Sequence, residues 1–146
     1  MKAWLGVVSR AHVRRGVAGG FAQLCHGKAQ PLRCMQGGDW LVYYSPTLEM
    51  GGAPLRAFTA IGRVEESEVY SHDMGGGFVP SRRNVRYADA AEVALDRVRD
   101  RLMLCARANW GMALRRGHLP LAPADFAVIA AAMNAHVAAD CLAGLR

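Results

Sequence analysis

The chain reads as an α+β fold: a curved sheet or small barrel flanked by about three helices. Three features predict it. Two apolar strand segments, "GDWLVYYSP" (38–46) and "LRAFTAIGRVEES" (55–67), lie in the first half. A short apolar run, "AWLGVVS" (3–9), precedes them. Apolar residues at helical spacing (Leu95, Val98, Leu102) and an alanine-rich stretch after Pro123 then fill the second half.

Taken in order, residues 3–9 are a first strand. Ser9 stands where an N-cap belongs, before "RAHVRRGV" with Val13 and Val17 four apart, and Gly19-Gly20 stops that helix. "FAQLCHGKAQPLRCM" has no clean period and reads as a loop with one helical turn. In "GDWLVYYSP", alternation puts Trp40, Val42 and Tyr44 on one face and Leu41, Tyr43 and Ser45 on the other. Neither face is polar, so this strand is covered on both sides, and its far end can deliver a ring and a hydroxyl into a pocket. A Gly-Pro loop, "PTLEMGGAP", leads to the second strong strand. "SHDMGGGFVPSRRN" is a loop and "VRYADA" a short strand. Residues 91–104 are a helix, and "NWGMALRRGHLPLA" holds one or two short strands. Pro123 suits the first turn of a closing helix that runs towards the end of the chain.

A length of 146 residues suits one domain with a single core, and the hydrophobic content of 52% argues against disorder. No run is long enough to span a membrane. The first residues read as a strand and no signal peptide, because arginines and a histidine follow the apolar run; the expected compartment is the cytoplasm. The formal net charge is +6, and Lys2 and Lys28 are the only lysines, so arginine carries almost all of the positive charge. A basic small domain favours a polyanionic partner, and the arginine fork is suited to phosphate.

Cys25, Cys34, Cys105 and Cys141 are scattered, with no C-x-x-C pair and no metal-ligand spacing, so neither a metal nor a disulfide is expected. Around Lys28 a phosphate loop fails twice, with Ala22 in place of the first glycine and Ala29 in place of the Ser/Thr. Cys25 and His26 are adjacent, an arrangement that splays a nucleophile from its base; Glu65, Glu66 and Glu68 read as a solvated edge. No spacing asks for a catalytic residue, and no cofactor is implied.

Six segments, "AWLGVVS", "GGFAQLCHGK", "MQGGDWLVYYSP", "FTAIGRV", "FVPSRRNVRY" and "NWGMALRRG…DFAVI", in this order and spacing, resemble the EVE domain, and more narrowly the small bacterial proteins of the UPF0310 group. The resemblance runs from Lys2 to Met133, leaving 134–146 as a helical extension. It implies a PUA-like fold, a mostly antiparallel β-barrel with flanking helices, and a non-catalytic module that binds a modified nucleobase in DNA or RNA. The pocket it implies is lined by Ser9, Phe21, Gln23, His26, Lys28, Tyr44, Ser45 and Trp110, with Arg82, Arg83, Arg115 and Arg116 on the phosphates. Phe21 stands near where related readers often carry Trp, and Ser81 where they more often have an aromatic. A plainer reading stands beside each assignment. Ser9 is a helix cap, His26 a loop histidine, Trp110 a packing residue and both arginine pairs solvated surface. Trp4, Trp40, Phe58 and Phe126 are core. A nucleic-acid- or nucleotide-processing enzyme and a binder of a free modified nucleoside are the rival functions.

Overall fold

In the computed structural model, which describes residues 1–146, a single curled sheet is built around one doubly buried strand. The strands are β1 (Ala3–Val7), β2 (Phe21–Ala22), β3 (Trp40–Thr47), β4 (Pro54–Val64), β5 (Tyr70–Ser71), β6 (Ser81–Tyr87), β7 (Val93–Ala94) and β8 (His118–Leu121). Their order is β2-β6-β4-β3-β1-β8, with β5 added to β6 and β7 to β4. All pairings are antiparallel except β1 with β3. That parallel pair needs a crossover, which α1 (Arg10–Gly19) and α2 (Ala29–Cys34) supply. The sheet curls as a half-barrel. No helix is long and apolar enough to cross a membrane.

The double burial expected of "GDWLVYYSP" is observed. Trp40, Val42 and Tyr44 join Leu5, Phe58, Ile61, Phe126 and Ile129 in one core, while Leu41 and Tyr43 join Val13, Leu24, Leu32 and Met35 in a second. Each large apolar side chain taken out of water contributes about 1.5–3 kcal/mol, so both faces of β3 stabilise the fold. Gly6 permits this on the β1 side: a Cβ there would lie 2.8 Å from Leu24 Cδ2 and 3.0 Å from Tyr43 Cε1.

Two irregularities bend the β3–β4 ribbon. Tyr43 pairs with Ala60 but Tyr44 with Phe58, so Thr59 is extra; a second shift separates Ser45↔Ala57 from Thr47↔Pro54, where Arg56 has φ 57°. Such bulges twist a strand locally. Here they lie beside the end of β3 that carries Tyr44–Thr47.

Helix α1 begins and ends as the sequence predicts. The Ser9 hydroxyl accepts from His12 N at 3.4 Å, and Gly20 closes the helix in the left-handed conformation. Elsewhere the elements differ from expectation. Residues 91–104 are not one helix: β7 pairs with Ala57 and Phe58, then two 3₁₀ turns (Leu95–Arg97 and Arg99–Arg101) lead into α3 (Met103–Ala106). Leu95, Val98 and Leu102 are nevertheless buried, because 3₁₀ turns also bring residues three apart onto one side. The "SRRN" segment is strand, not loop, since β6 pairs with β2, β4 and β5. "NWGMAL" forms α4 (Trp110–Leu114), and the one strand after it is β8. The closing helix splits into α5 (Pro123–Ala132) and α6 (Ala139–Ala143). At the break Asn134 is left-handed (φ 54°), and Ala135 N reaches back to Ala130 O at 3.0 Å, a Schellman closure that overrides alanine's preference for helix.

Asp39, 3% exposed, ties the starts of β1 and β3 together. Its carboxylate accepts from Lys2 N (2.9 Å), Trp4 Nε1 (3.0 Å) and Gln36 N (2.8 Å). Beside it His118 stacks on Trp4, ring centroids 4.8 Å apart at 13°. Burial holds the His118 pKa down at about 4, and its Nε2 is buried without a partner. Replacing Asp39 by Ala removes three acceptor contacts and is expected to cost about 3 kcal/mol in urea unfolding. The His118 ring binds a proton in the unfolded chain near its ordinary value of 6.5 but resists it when folded. Its contribution is therefore complete above that value and is lost as pH falls towards about 4. His118→Phe keeps a ring on Trp4 and is expected to reduce the slope of unfolding free energy with pH across this window, the remainder coming from His12, whose pKa burial also lowers.

Candidate functional site, a cationic cleft

One large cleft, about 1400 Å³, opens where α1, the end of β3, β6 and the α4–β8 connection meet. That is more than a small-molecule pocket of roughly 300–1,000 Å³ requires, and it is open enough for a chain. Its lining includes Arg15, Lys28, Arg56, Arg82, Arg99, Arg115 and Arg116 but a single carboxylate, Asp96, which pairs with Arg99 at 3.5 Å. Seven of the eighteen basic residues and one of the twelve acidic residues thus face the cleft, and the remaining eleven of each sign balance. The whole formal charge of +6 resides here.

Helix α1 supplies a stripe at three-residue spacing: Ser9, His12, Arg15 and Ala18 face the cleft, while Val13 and Gly16 are buried. His12 Nε2 lies 2.9 Å from the Gln23 carbonyl. Burial keeps this imidazole below its ordinary pKa, against the pull of that carbonyl and with help from the nearby Arg15 and Arg82. A carbonyl can only accept, so the neutral ring carries its proton on Nε2 and leaves Nδ1 as an acceptor. The Gln23 side chain, 5% exposed, accepts from Arg82 Nε at 3.1 Å. That bond orients the amide and leaves its NH₂ as donor.

Arg82 in turn lies over Phe21, its guanidinium carbon 3.9 Å from the ring centroid. Gly19 lies against the same ring: a Cβ there would approach Phe21 Cε1 to 2.5 Å. Phe21 is therefore a support for Arg82. Trp110 carries Arg99 in a similar way, at 5.1 Å, and Tyr44 meets Phe58 edge-on at 5.6 Å.

Between these walls, Cys25, His26 and Gly27 form a left-handed turn (φ 49°, 60° and 85°). Left-handed backbone costs roughly 1–2 kcal/mol at each non-glycine residue. The turn is held from two sides. Cys25 Sγ donates to Arg116 O at 3.5 Å, and Gly27 packs against the loop after β5, where a Cβ would lie 2.5 Å from Pro80 Cβ. Burial pushes the Cys25 thiol up, Lys28 only partly offsetting it, so sulfur stays in its neutral, hydrogen-bonding form. No group of three His, Cys, Asp or Glu side chains is gathered to hold a metal ion.

A profile of the EVE domain matches residues 2–132. The chain belongs to the EVE domain family. It is similar to the UPF0310 protein YdcG of Bacillus subtilis, 41% identical over 141 residues, covering 95% of this chain and 97% of that one. It is also similar to the UPF0310 protein msl3206 of Mesorhizobium japonicum, 48% identical over 136 residues, covering 90% and 91%. Among solved structures, Rpa0253 from Rhodopseudomonas palustris shares the fold with a TM-score of 0.56 at 18% identity, covering 92% of this chain and 94% of its own. A Leishmania major protein does so at 0.55 and 12%, covering 88% and 92%. The EVE domain seen here accordingly has the PUA-like architecture that its sequence implied.

Of the side chains that the EVE resemblance singled out, Ser9, Phe21, Gln23, His26, Lys28, Tyr44, Trp110, Arg82, Arg115 and Arg116 all line the cleft. Ser45 and Arg83 do not. Each follows a cleft residue in a strand, and alternation sends it to the opposite face. Ser45 is fully buried with its hydroxyl 2.8 Å from Thr59 Oγ1. Arg83, 8% exposed, donates to Leu32 O at 2.9 Å and to Met35 O, fastening the end of α2. Sequence reasoning missed His12, Arg15, Arg56, Arg99, Met50, Met74 and Phe78, which also face the cleft. The three-residue spacing from Ser9 was the available signal for His12 and Arg15. Gly27→Ala is expected to destabilise the EVE domain by about 2 kcal/mol, from the left-handed backbone together with the Pro80 clash. Faster amide exchange at residues 24–28 and 78–81 measures it.

Proposed function

We propose that the cleft binds a nucleic-acid strand and holds one modified base against its polar floor. The observation that carries this is the placement of the entire net charge on one cleft whose floor is hydrogen-bonding rather than ionic. Arginines and Lys28 at the mouth hold the backbone, which fixes register but carries no base information. Arg99 on Trp110, half exposed, offers a guanidinium face on which a base can stack, while Arg82, buried against Phe21, stiffens the floor.

Recognition falls to His12 Nδ1, the Gln23 amide donors and the Ser9 hydroxyl. Burying one extra methyl is worth about 0.8 kcal/mol, roughly fourfold in affinity. A polar group left unpaired by the wrong base costs about 1–3 kcal/mol. Discrimination between bases therefore rests on the polar floor, and the methyl adds to it.

Fluorescence anisotropy with plain and modified oligonucleotides tests the proposal. Neutralising about four phosphates gives about 50-fold weaker binding of a single strand, and about 150-fold of a duplex, between about 50 and 200 mM salt. Arg115→Ala with Arg116→Ala, both exposed, is expected to lower affinity about tenfold and the salt slope by about 1.4 on a single strand or about 1.8 on a duplex. Gln23→Leu is expected to reduce the preference for the modified base while leaving that slope unchanged. Salt-independent binding of a free nucleoside without oligonucleotide binding overturns the reading, and so does turnover of the oligonucleotide.

A further inference from the structure

The loop between β5 and β6 has no part in the floor or the cationic mouth. Residues 71–79 are all exposed, and among them are Met74 (47%), Phe78 (45%) and Val79 (53%). Three large apolar side chains within six residues is an uncommon thing to leave in water. The loop is also shaped. Met74 N donates to Phe78 O at 2.9 Å and Phe78 N to Gly75 O at 3.2 Å, so Met74 and Phe78 stand opposite each other at the neck of a tight turn. The Asp73 carboxylate takes Gly75 N at 2.8 Å, and His72 N closes on Pro80 O at 3.0 Å. Beyond the neck are Gly75, Gly76 and Gly77, all at positive φ with open space around them. The tip is thus bare backbone, thin enough to come close to a partner. Its base is anchored where Pro80 and Phe78 meet Gly27 of the left-handed turn, at 2.5 and 3.5 Å from the position of an added Cβ. Met74 and Phe78 both line the cleft, so the apolar pair borders the space the extracted base would occupy.

We infer that this loop is a wedge for duplex nucleic acid, with Phe78 and Met74 entering the base stack at the gap that the base leaves on moving into the cleft. The inference rests on the proposed function and names its substrate class as double-stranded. Three observations combine. The apolar pair adjoins a cationic cleft, which demands a partner with a charged exterior and an apolar interior; a base-paired duplex is such a partner. Flat or unbranched side chains such as Phe and Met are the kind that separate stacked bases. A single strand yields a base at the least cost and leaves no paired gap to fill, so it has little need of the pair.

The test uses the full chain with two 2-aminopurine-labelled DNAs carrying the same modified base, one duplex and one single-stranded. Wild type is expected to bind both and to raise 2-aminopurine emission beside the target in the duplex. Met74→Ala with Phe78→Ala is expected to weaken duplex binding at least tenfold and abolish the rise, while single-strand affinity, to which the pair contributes only as cleft wall, falls no more than about threefold. An equal loss on both substrates overturns the wedge, because the pair then merely walls the cleft, and the proposed function survives. Binding confined to single strands overturns it in the same way. Failure of wild type on both substrates overturns both proposals. Phe78→Leu, which keeps an apolar side chain, is expected to retain most duplex binding; loss there as in the double variant also counts against the wedge.

Discussion

Everything in this molecule depends on β3 being buried on both faces at once. A strand with one wet face could lie at the surface of a two-layer fold. This one requires a lid on each side, and the chain builds two separate cores to provide them, around Val42 and Tyr44 on one face and Leu41 and Tyr43 on the other. The first lid is α5 with the 3₁₀ turns, through Phe126, Ile129, Leu95 and Val98. The second is α1 and α2, through Val13 and Leu32. The cleft opens beside the end of β3, where Tyr44, Pro46 and Thr47 reach it. Cleft and folding core thus share a strand, and mutations of Tyr44 would confuse loss of fold with loss of the proposed binding; the exposed arginines do not carry that ambiguity.

Arginine is used here in three distinct ways, each decided by what surrounds the guanidinium. Arg83 is structural: its Nη1 donates to the two carbonyls at the end of α2. Arg82 is held against Phe21 and ties down Gln23, so it belongs to the wall and to the floor together. Arg115 and Arg116 are exposed at the mouth, where cations attract a polyanion from a distance but are screened by salt. A lysine at position 82 would lose the flat face that stacks and the fork that orients the amide.

How far the sequence discloses this arrangement varies by element. The β3 segment was legible because both of its faces are apolar, and alternation needs no tertiary information. The Ser9 cap and the Gly20 stop were legible because both are local chemistry. Residues 91–104 were not: the spacing of Leu95, Val98 and Leu102 suits an α-helix and successive 3₁₀ turns about equally, and the choice was made by β4, whose bulged edge pairs Val93–Ala94. Likewise α5 ends where left-handed Asn134 lets Ala135 N bond back to Ala130 O, a closure that no alanine-rich window announces. At the cleft, alternation within β6 separates Arg82 from Arg83, but only once that segment is known to be strand. Its glycines and proline argued for loop, and pairing with three strands overrode them.

The rings at the cleft change where selectivity must originate. An aromatic box selects by enclosing a methyl group with bare faces, yet Phe21 and Trp110 both have guanidinium groups over them and Tyr44 is edge-packed on Phe58. Stacking on a guanidinium face such as that of Arg99 rewards any planar base, so on the proposed function this wall would supply affinity without much choice. Choice then requires donors and acceptors that are fixed before the base arrives, since a floor that can rotate will satisfy a wrong partner as well as a right one. His12 is fixed by its bond to the Gln23 carbonyl, and Gln23 by Arg82. The two bonds share one residue, so His12, Gln23 and Arg82 act as a single unit, and Phe21 holds the unit in place. Substituting Phe21 would therefore disturb the polar floor through Arg82.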